Sequence, residues 1–279
     1  MVDCASFQKI NPTSPLPPVL EDDMIAEVPD DQLHLCAPTV LGYSFVLKIW
    51  GRFLANKFTP VIWNKSAFNL LVLPLSTKEL VQSLVHADRT SASVIKDVIS
   101  GKGGGCILLL HGRPGTGKTL TAEAIAEEQE KPLLVISIAE LGRNAASLES
   151  SLTGILELAR LWDAVVLLDE ADVFLEARGL HELERNAMVG VFLRLLEYHD
   201  GIMFLTTNRV EAIDEAFKSR ISVAIKYNDL DQDARKQVWR NFLNLARVRI
   251  VSEIQDGEDT SSCINEEVDR LASKVLNGR

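Results

Sequence analysis

The sequence lacks the features of a disulfide scaffold, a cysteine-ligated metal site or a membrane-spanning protein. Its cysteines form no CxxC pair and are widely spaced, at Cys4, Cys36, Cys106 and Cys263. Such spacing gives little support to a zinc site or a disulfide framework. No apolar run approaches the roughly 18 residues that a membrane-spanning helix needs. The nearest candidate, "FNLLVLPL", is much too short.

Positive charge is also scarce: 29 Lys and Arg residues stand against 39 Asp and Glu residues, a formal net charge of −10. A surface that binds duplex nucleic acid clusters Lys and Arg in order to release counterions. The acidic balance therefore argues against a nucleic-acid partner, although it leaves room for a local basic groove. The N-terminal stretch has no uninterrupted apolar segment, so we expect no secretory signal and an intracellular, by default cytoplasmic, location.

Composition divides the chain into four expected regions. Residues 1–33 are rich in Pro, Ser and Asp without periodicity, and we interpret them as a disordered tail. Hydrophobic clusters return in an accessory segment over 34–100, which ends near the glycine-rich stretch "SGKGGG". We expect residues 101–228 to form an α/β core and residues 229–279 to form a partial helical lid.

The core alternates between two kinds of apolar pattern. Five short apolar runs are typical of buried strands: "CILLLHG" (106–112), "PLLVISI" (132–138), "AVVLLDE" (164–170), "GIMFLTT" (201–207) and "SVAIKY" (222–227). Between them, 147–162 and 183–198 carry apolar residues at spacings of three and four, which predicts amphipathic helices. This alternation predicts a parallel sheet covered on both faces, with a ligand site at the carboxyl ends of its strands.

The stretch "GRPGTGKT" (112–119) lies between the first predicted strand and a helix, the context that confirms the phosphate-loop pattern G-x-x-x-x-G-K-[ST]. Gly112, Gly115 and Gly117 let the loop wrap with its amides facing phosphate oxygens, and the helix adds its positive end. We expect Lys118 to reach the terminal phosphates and the Thr119 hydroxyl to ligate Mg²⁺. The predicted ATP-binding set also includes Pro114, Thr116 and Leu120.

The third predicted strand ends in a carboxylate pair, Asp169 and Glu170. Downstream of a phosphate loop, we expect Asp169 to hold Mg²⁺ and Glu170 to polarise the attacking water. The alternative is a charged pair that only caps a strand. The letters from Asp169 to Asp172 also spell DEAD, the signature of a large group of RNA helicases, but the sequence after them shows no second strand-rich domain to close over ATP and RNA.

The last two predicted strands carry further cues. The fourth ends in "TTN", where Asn208 can order the lytic water, and "EAFKSRI" presents Arg220 just before the fifth. Together with Asp169 and Glu170, this set closely resembles the AAA+ ATPases, in particular a group of AAA-type ATPases abundant in filamentous fungi. The resemblance covers roughly residues 34–279 and includes a "GYSF…KIW…FNLLVLP" segment before the core.

The resemblance implies a P-loop sheet with strand order 5-1-4-3-2, Asn208 as sensor 1, and Arg220 as the arginine offered to the ATP of a neighbouring subunit. Since an arginine supplied in trans contributes about 10³–10⁵ in rate, ATP would be cleaved efficiently only in a homo-oligomer, commonly a ring of six. "KSRI" is similar to the Ser-Arg motif of clamp-loader subunits rather than to the R-x-G-R of the founding AAA group. The alternative for Arg220 is a surface residue that ends a loop.

The sequence departs from the family pattern in two places. "AELGRNAASLESSL" has no aromatic residue where many AAA+ unfoldases grip a threaded polypeptide, so the sequence does not support such a grip and we predict no substrate for it. "LNGR" resembles the start of the lid helix that carries a second sensor arginine, which makes Arg279, the last residue, the corresponding ATP contact. We therefore expect a truncated lid that weakens nucleotide affinity and turnover.

The interpretation that follows is Mg²⁺-dependent ATP hydrolysis coupled to remodelling of a protein partner. The competing class is an ATP-binding scaffold with little or no turnover because its lid is incomplete, and a nucleic-acid motor is a third alternative. Residues 43–74 have two interpretations, ordinary packing under the core or a partner-binding module anchored by Trp50 and Trp63. His111, beside the phosphate loop, is interpreted as a packed strand-end residue rather than as a catalytic base.

Overall fold

A computed structural model of the 279-residue chain describes residues 1–11, 36–90, 105–142, 144–175, 183–209, 214–245 and 268–274. The chain divides into two compact units, Met1–Trp63 and Asn64–Arg279. No helix among these described ranges is long and apolar enough to cross a membrane.

The N-terminal unit combines a short helix with a two-stranded antiparallel hairpin. Helix α1 spans Cys4–Ile10, and strands β1 (Thr39–Ser44) and β2 (Ile49–Leu54) pair along their full length. Helix α1 begins because the Asp3 carboxylate accepts a hydrogen bond from the Ser6 amide at 2.9 Å, a standard N-cap. The tail expected over 1–33 thus starts with a helix, and its Pro-rich remainder from residue 12 lies outside the described residues.

Aromatic side chains pack the inside of this hairpin unit. The ring of Trp50 lies edge-on to those of Phe7 and Tyr43, with centroids 5.2 and 5.4 Å away. Such edge-to-face pairs are a favourable geometry for aromatic rings. Trp50 is therefore a packing residue of the N-terminal unit.

The larger unit is built on a five-stranded parallel sheet. Its strands in chain order are β3 (Cys106–Gly112), β4 (Leu133–Ser137), β5 (Val165–Asp169), β6 (Ile202–Thr207) and β7 (Val223–Tyr227). They lie side by side in the order β4-β5-β6-β3-β7. Numbered from the first strand of this sheet, the order is 5-1-4-3-2. The predicted α/β P-loop fold is confirmed.

Helices flank the sheet. They are α2 (Leu75–Thr90), α3 (Lys118–Glu128), α4 (Ala145–Leu161), α5 (Asp172–Leu175), α6 (Leu183–Glu197), α7 (Glu215–Lys218) and α8 (Gln232–Leu245), and residues 268–273 are also helical. Val81 of α2 and Ile125 of α3 pack with Leu108 of β3 in one core cluster. Leu109 and Leu205, which alternate with residues of that cluster, are at most 1% exposed, so both sheet faces are covered.

The register of the strands brings three strand ends together. On β3 and β6, His111 lies opposite Thr207, and on β5 and β6, Leu168 lies opposite Leu205. Because the strands are parallel, the residues that follow β3, β5 and β6 meet at one edge of the sheet. The candidate site lies at this edge.

Candidate active site

The loop between β3 and α3 turns around three glycines with positive φ. Gly112, Gly115 and Gly117 have φ values of 151, 76 and 96°, a region that glycine adopts without steric cost. At Gly112, a Cβ atom would lie 2.3 Å from the carbonyl oxygen of Tyr227 on β7. The close approach of loop and strand therefore requires glycine at this position. Helix α3 begins directly after the loop at Lys118, so its positive end faces the loop.

The Lys118 ammonium group lies within this loop and is only 7% exposed as a residue. It donates hydrogen bonds to the carbonyl oxygens of Gly112 and Arg113, both at 2.8 Å, and to Asn208 Oδ1 at 2.9 Å. These acceptors hold Lys118 between the loop and the end of β6. Two predicted site residues that lie 90 positions apart in the sequence are thus in direct contact.

Asp169, at the end of β5, meets hydroxyl groups from two other elements. The Thr119 hydroxyl donates to Asp169 Oδ1 at 3.1 Å, and the Thr206 hydroxyl donates to the same oxygen. A hydroxyl beside a carboxylate offers the hard oxygen ligands that Mg²⁺ takes. Within the described ranges, no group of three or more His, Cys, Asp or Glu side chains could hold a metal alone. This donor set fits Mg²⁺, which usually takes one or two carboxylates and completes its shell with substrate phosphates and water.

Glu170 follows Asp169 with a φ of 55°, the left-handed backbone region that residues with a side chain seldom adopt. Its amide donates to Thr206 Oγ1 at 2.9 Å, and the amide of Ala171 donates to the Thr206 carbonyl oxygen at 2.8 Å. The turn after β5 is therefore tied to the end of β6. The Glu170 side chain is exposed at this edge of the sheet.

Asp172, the last residue of the DEAD stretch, is hydrogen-bonded to the end of β6. Its Oδ1 accepts a hydrogen bond from the Thr207 hydroxyl and another from the Asn208 amide, the latter at 3.2 Å. Sequence reasoning gave no role to Asp172 or to the two threonines. No local sequence pattern marks these three residues, because their contacts form only where β5 and β6 lie side by side.

Two titratable groups near the site have shifted pKa values. Burial raises the pKa of Glu123 on α3, and the negative charge of Asp169 raises it further. Burial lowers the pKa of His111, as do the positive charges of Lys226 and Lys118. The Nδ1 atom of His111 is buried and finds no hydrogen-bond partner in the described part of the chain. Burial and both positive charges thus favour the neutral form of His111.

Arg220 follows α7 and is paired within its own chain. One terminal nitrogen contacts Glu197 Oε2 on α6 at 3.1 Å, and the other donates to the Ala216 carbonyl oxygen at 2.9 Å and to Ser219 Oγ at 3.3 Å. Its Nε is buried without a hydrogen-bond partner among the described residues. The structure thus places Arg220 against α6 and the end of α7, whereas Lys118, Thr119, Asp169 and Asn208 form one cluster.

An apolar cavity of about 240 Å³ lies beside the phosphate loop. Its walls come from residues 64–73, from the loop and the start of α3, from the end of β7 and from α8, and they include Leu71, Val72, Gly115, Leu120, Val238 and Phe242. The sequence placed residues 64–73 in the accessory segment, with core packing or partner binding as its two interpretations, and gave no sign that they line the site. No local signal marks such a wall, because it forms only where distant segments meet.

Polar contacts hold residues 64–73, the wall formed by the segment before α2, in place. The Asn64 amide donates to Glu127 Oε2 on α3 at 2.7 Å, and Lys65 pairs with Glu130 at 2.6 Å. On the other side, Asn241 Nδ2 of α8 donates to the Leu70 carbonyl oxygen at 2.7 Å. Phe68 and Leu71 are buried in the core cluster beneath. Residues 64–73 are thus part of the larger unit.

Among the described residues, the remaining predicted ATP contacts lie in or next to the loop. Thr116 is buried, and its hydroxyl donates to the Arg113 carbonyl oxygen at 2.8 Å. Pro114 is exposed in the loop, and Leu120, in the first turn of α3, is 53% exposed. Arg279 lies outside the described residues.

The strand order, the glycine-rich loop before α3 and the carboxylate at the end of β5 define a P-loop nucleotide-binding domain. Residues 108–228 match the family described as "ATPase family associated with various cellular activities (AAA)". Over these residues the chain is similar to AAA ATPase domains, in agreement with the resemblance.

Several curated relatives share this domain. The chain is 29% identical over 140 residues to ATPase family AAA domain-containing protein 3B of Homo sapiens, a match that covers 48% of this chain and 22% of that protein. It is 30% identical over 167 residues to Spastin of Drosophila persimilis (54% and 21%) and 31% identical over 146 residues to Fidgetin-like protein 1 of Homo sapiens (49% and 22%). The match thus spans less than a quarter of the length of these relatives.

Proposed function

We propose that this chain binds ATP together with Mg²⁺ and hydrolyses it, and that hydrolysis drives the remodelling of a protein partner. The observation that carries the proposal is the convergence of Lys118, Thr119, Asp169 and Asn208 at one edge of the sheet. The match of residues 108–228 to the AAA family supports an ATPase activity in general.

Different regions of the site suit the base, the phosphates and the metal ion of Mg-ATP. The apolar cavity beside the loop suits a flat, mostly apolar base, and the loop amides and the start of α3 suit phosphate oxygens. Lys118 binds the terminal phosphates, and Thr119 and Asp169 hold Mg²⁺. When bound, Mg²⁺ neutralises charge that develops on the transferred phosphoryl group.

Glu170 and Asn208 act on the attacking water. The Glu170 carboxylate accepts a proton from that water. The side-chain amide of Asn208 orients the water towards the terminal phosphate. The hydrogen bond between Lys118 and Asn208 ties the water-orienting residue to the residue that binds the phosphates.

The proposed assembly is a homo-oligomeric ring in which Arg220 of one subunit contributes to the ATP site of the next. Support comes from the AAA family, in which such rings are typical, and from the position of Arg220 outside its own chain's phosphate cluster. A protein client fits the remodelling role.

Phosphate release at saturating Mg-ATP tests the proposal, with Glu170→Gln as the matched control. We expect the wild type to turn over only with Mg²⁺ and the variant to lose about 10²–10⁴ in rate, because general-base assistance contributes on that scale. Both proteins should bind a fluorescent ADP analogue. Binding without turnover above the variant would support the alternative, an ATP-binding scaffold, and absence of binding would overturn both.

A further inference from the structure

Thr206 is the second-last residue of β6 and lies beside the turn that carries Asp169 and Glu170. It is 1% exposed. The register between β5 and β6 pairs Leu168 with Leu205, so the next residues, Asp169 and Thr206, are also neighbours. The pairing of β5 with β6 therefore sets the position of Thr206 next to Asp169.

The Thr206 hydroxyl forms two hydrogen bonds, one as donor and one as acceptor, with the two residues of the carboxylate pair. The proton is donated to Asp169 Oδ1, and the oxygen accepts the amide hydrogen of Glu170 at 2.9 Å. The Thr206 carbonyl oxygen then accepts the amide hydrogen of Ala171 at 2.8 Å. One residue thus binds three consecutive positions of the turn that follows β5.

That turn needs such support because Glu170 has a φ of 55°. A residue with a side chain persists in the left-handed region only where the surrounding structure determines its backbone. The two hydrogen bonds that Thr206 makes to the amides of Glu170 and Ala171 supply this constraint. The direction of the Glu170 side chain follows from that backbone conformation.

We propose that Thr206 is the positioning residue of the site. Its hydroxyl orients Asp169 Oδ1 for Mg²⁺ and at the same time holds Glu170 in the turn from which its carboxylate reaches water. The inference rests on the proposed function and deepens it, since it assigns the alignment of metal ligand and base to a single side chain on the neighbouring strand.

Thr207 provides an internal comparison. It is also 1% exposed, yet its hydroxyl donates to Asp172 and its oxygen accepts the amide hydrogen of Arg209 at 3.0 Å. Thr207 therefore serves the segment around Asn208, whereas Thr206 serves Asp169 and Glu170. Loss of the two hydroxyls should have different consequences for the metal.

The experiment compares Thr206→Val, Thr206→Ala, Thr206→Ser and Thr207→Val. The readouts are the Mg²⁺ concentration that gives half of the Mg²⁺-dependent increase in affinity for a fluorescent ADP analogue, and the kcat and KM of ATP hydrolysis. We expect Thr206→Val and Thr206→Ala to raise that Mg²⁺ concentration by about 10-fold or more and to lower kcat similarly, since residues that orient metal ligands contribute on this scale. KM for ATP at saturating Mg²⁺ should change less than kcat.

The serine variant keeps the hydroxyl and should restore both quantities to within about threefold of the wild type, while Thr207→Val should lower kcat with a Mg²⁺ requirement close to the wild-type value. The proposal is overturned if Thr206→Val and Thr206→Ala keep the wild-type Mg²⁺ requirement and kcat, or if Thr206→Ser is as impaired as they are. Thr206→Ala cannot overpack the site, so it decides the question if the valine variant does not fold. A wild type that binds no nucleotide would instead contradict the proposed function itself.

Discussion

At the scale of single residues, Gly112 links the phosphate loop to the sheet. A Cβ atom there would overlap the Tyr227 carbonyl oxygen, and the φ of 151° is already unfavourable for other residues. We predict that Gly112→Ala lowers the free energy of unfolding by about 2 kcal/mol or more and abolishes tight nucleotide binding. Urea unfolding and titration with a fluorescent ADP analogue measure the two effects.

Gly190 of α6 is a matched control for this substitution. A Cβ atom there meets nothing within 4 Å, and alanine stabilises a helix relative to glycine by about 0.5–1 kcal/mol. Gly190→Ala should therefore keep nucleotide binding and raise the stability slightly. Equal stability of the Gly112→Ala variant and the wild type would show that β7 can move away from the loop at little cost.

His199, at the turn between α6 and β6, makes stability depend on pH. Burial lowers its pKa from 6.5 to about 4, with a smaller opposing effect of the Asp200 charge. As the pH falls below 6.5, the unfolded chain binds the proton before the folded one does, so the stabilisation that is complete above pH 6.5 declines towards pH 4. At about pH 5 the loss should reach about 2 kcal/mol.

The measurement is the free energy of unfolding in urea at about pH 7.5 and about pH 5, for the wild type and for His199→Gln. Carboxylates that titrate over the same interval contribute equally to both proteins and cancel in the comparison. The wild type should lose about 2 kcal/mol more than the variant. Identical losses would mean that His199 binds its proton in the folded protein as readily as in the unfolded one.

Residues of the site differ in how well the sequence predicts them. Lys118, Thr119 and Asp169 were predicted because a glycine pattern and an apolar run ending in a carboxylate are local signals. Thr206 and Asp172 were not, because their hydrogen bonds join strands that are far apart in the sequence. A hydroxyl at the end of a buried strand has no pattern that distinguishes a positioning residue from an ordinary polar end.

At the scale of elements, the sheet and its main helices follow from the sequence. Buried parallel strands need apolar side chains on both faces, so β5 appears as the continuous run "VVLL". Helix α4 was expected over 147–162 and is found at Ala145–Leu161, because Asn144 caps it two residues earlier. The wall over 64–73 escaped prediction because its residues follow no period and acquire a role only against α3 and α8.

A hydrogen bond from Asn241 Nδ2 to the Leu70 carbonyl oxygen joins helix α8 to the cavity wall over 64–73. Asn241→Ala removes the donor and should loosen both sides of the apolar cavity, which Asn241 itself lines. We predict that the Kd for a fluorescent ADP analogue rises by about 5- to 10-fold, as expected for loss of about 1 kcal/mol of hydrogen bonding. kcat at saturating ATP should change little, because Glu170 and Asn208 are left intact.

Arg240→Ala is the matched control on the same helix. Its side chain is exposed, and the cavity lining does not include it within the described residues. Its nucleotide affinity should equal that of the wild type. If Asn241→Ala and Arg240→Ala bound nucleotide equally well, α8 would contribute nothing to the affinity through this contact.

At the scale of the whole molecule, the role proposed for Arg220 lies between subunits. Its guanidinium is held by Glu197 and by the end of α7, away from Lys118 and Asp169. A site whose arginine comes from a neighbour is complete only in an oligomer, and the arginine is worth about 10³–10⁵ in rate. We predict that Arg220→Ala lowers kcat by about 10³-fold or more and leaves nucleotide binding within about threefold of the wild type.

Mixing subunits separates a role in trans from a role in cis. Arg220→Ala subunits retain Glu170, and Glu170→Gln subunits retain Arg220, so each protein alone should be nearly inactive. A random one-to-one mixture joins an intact base to a neighbour's intact arginine at about one interface in four, and phosphate release should recover accordingly. Arg194→Ala, which breaks the exposed pair with Glu149 between α4 and α6, should behave as the wild type, because exposed ion pairs contribute little. A mixture no more active than its components would place the effect of Arg220 within its own subunit, where Glu197 already binds it.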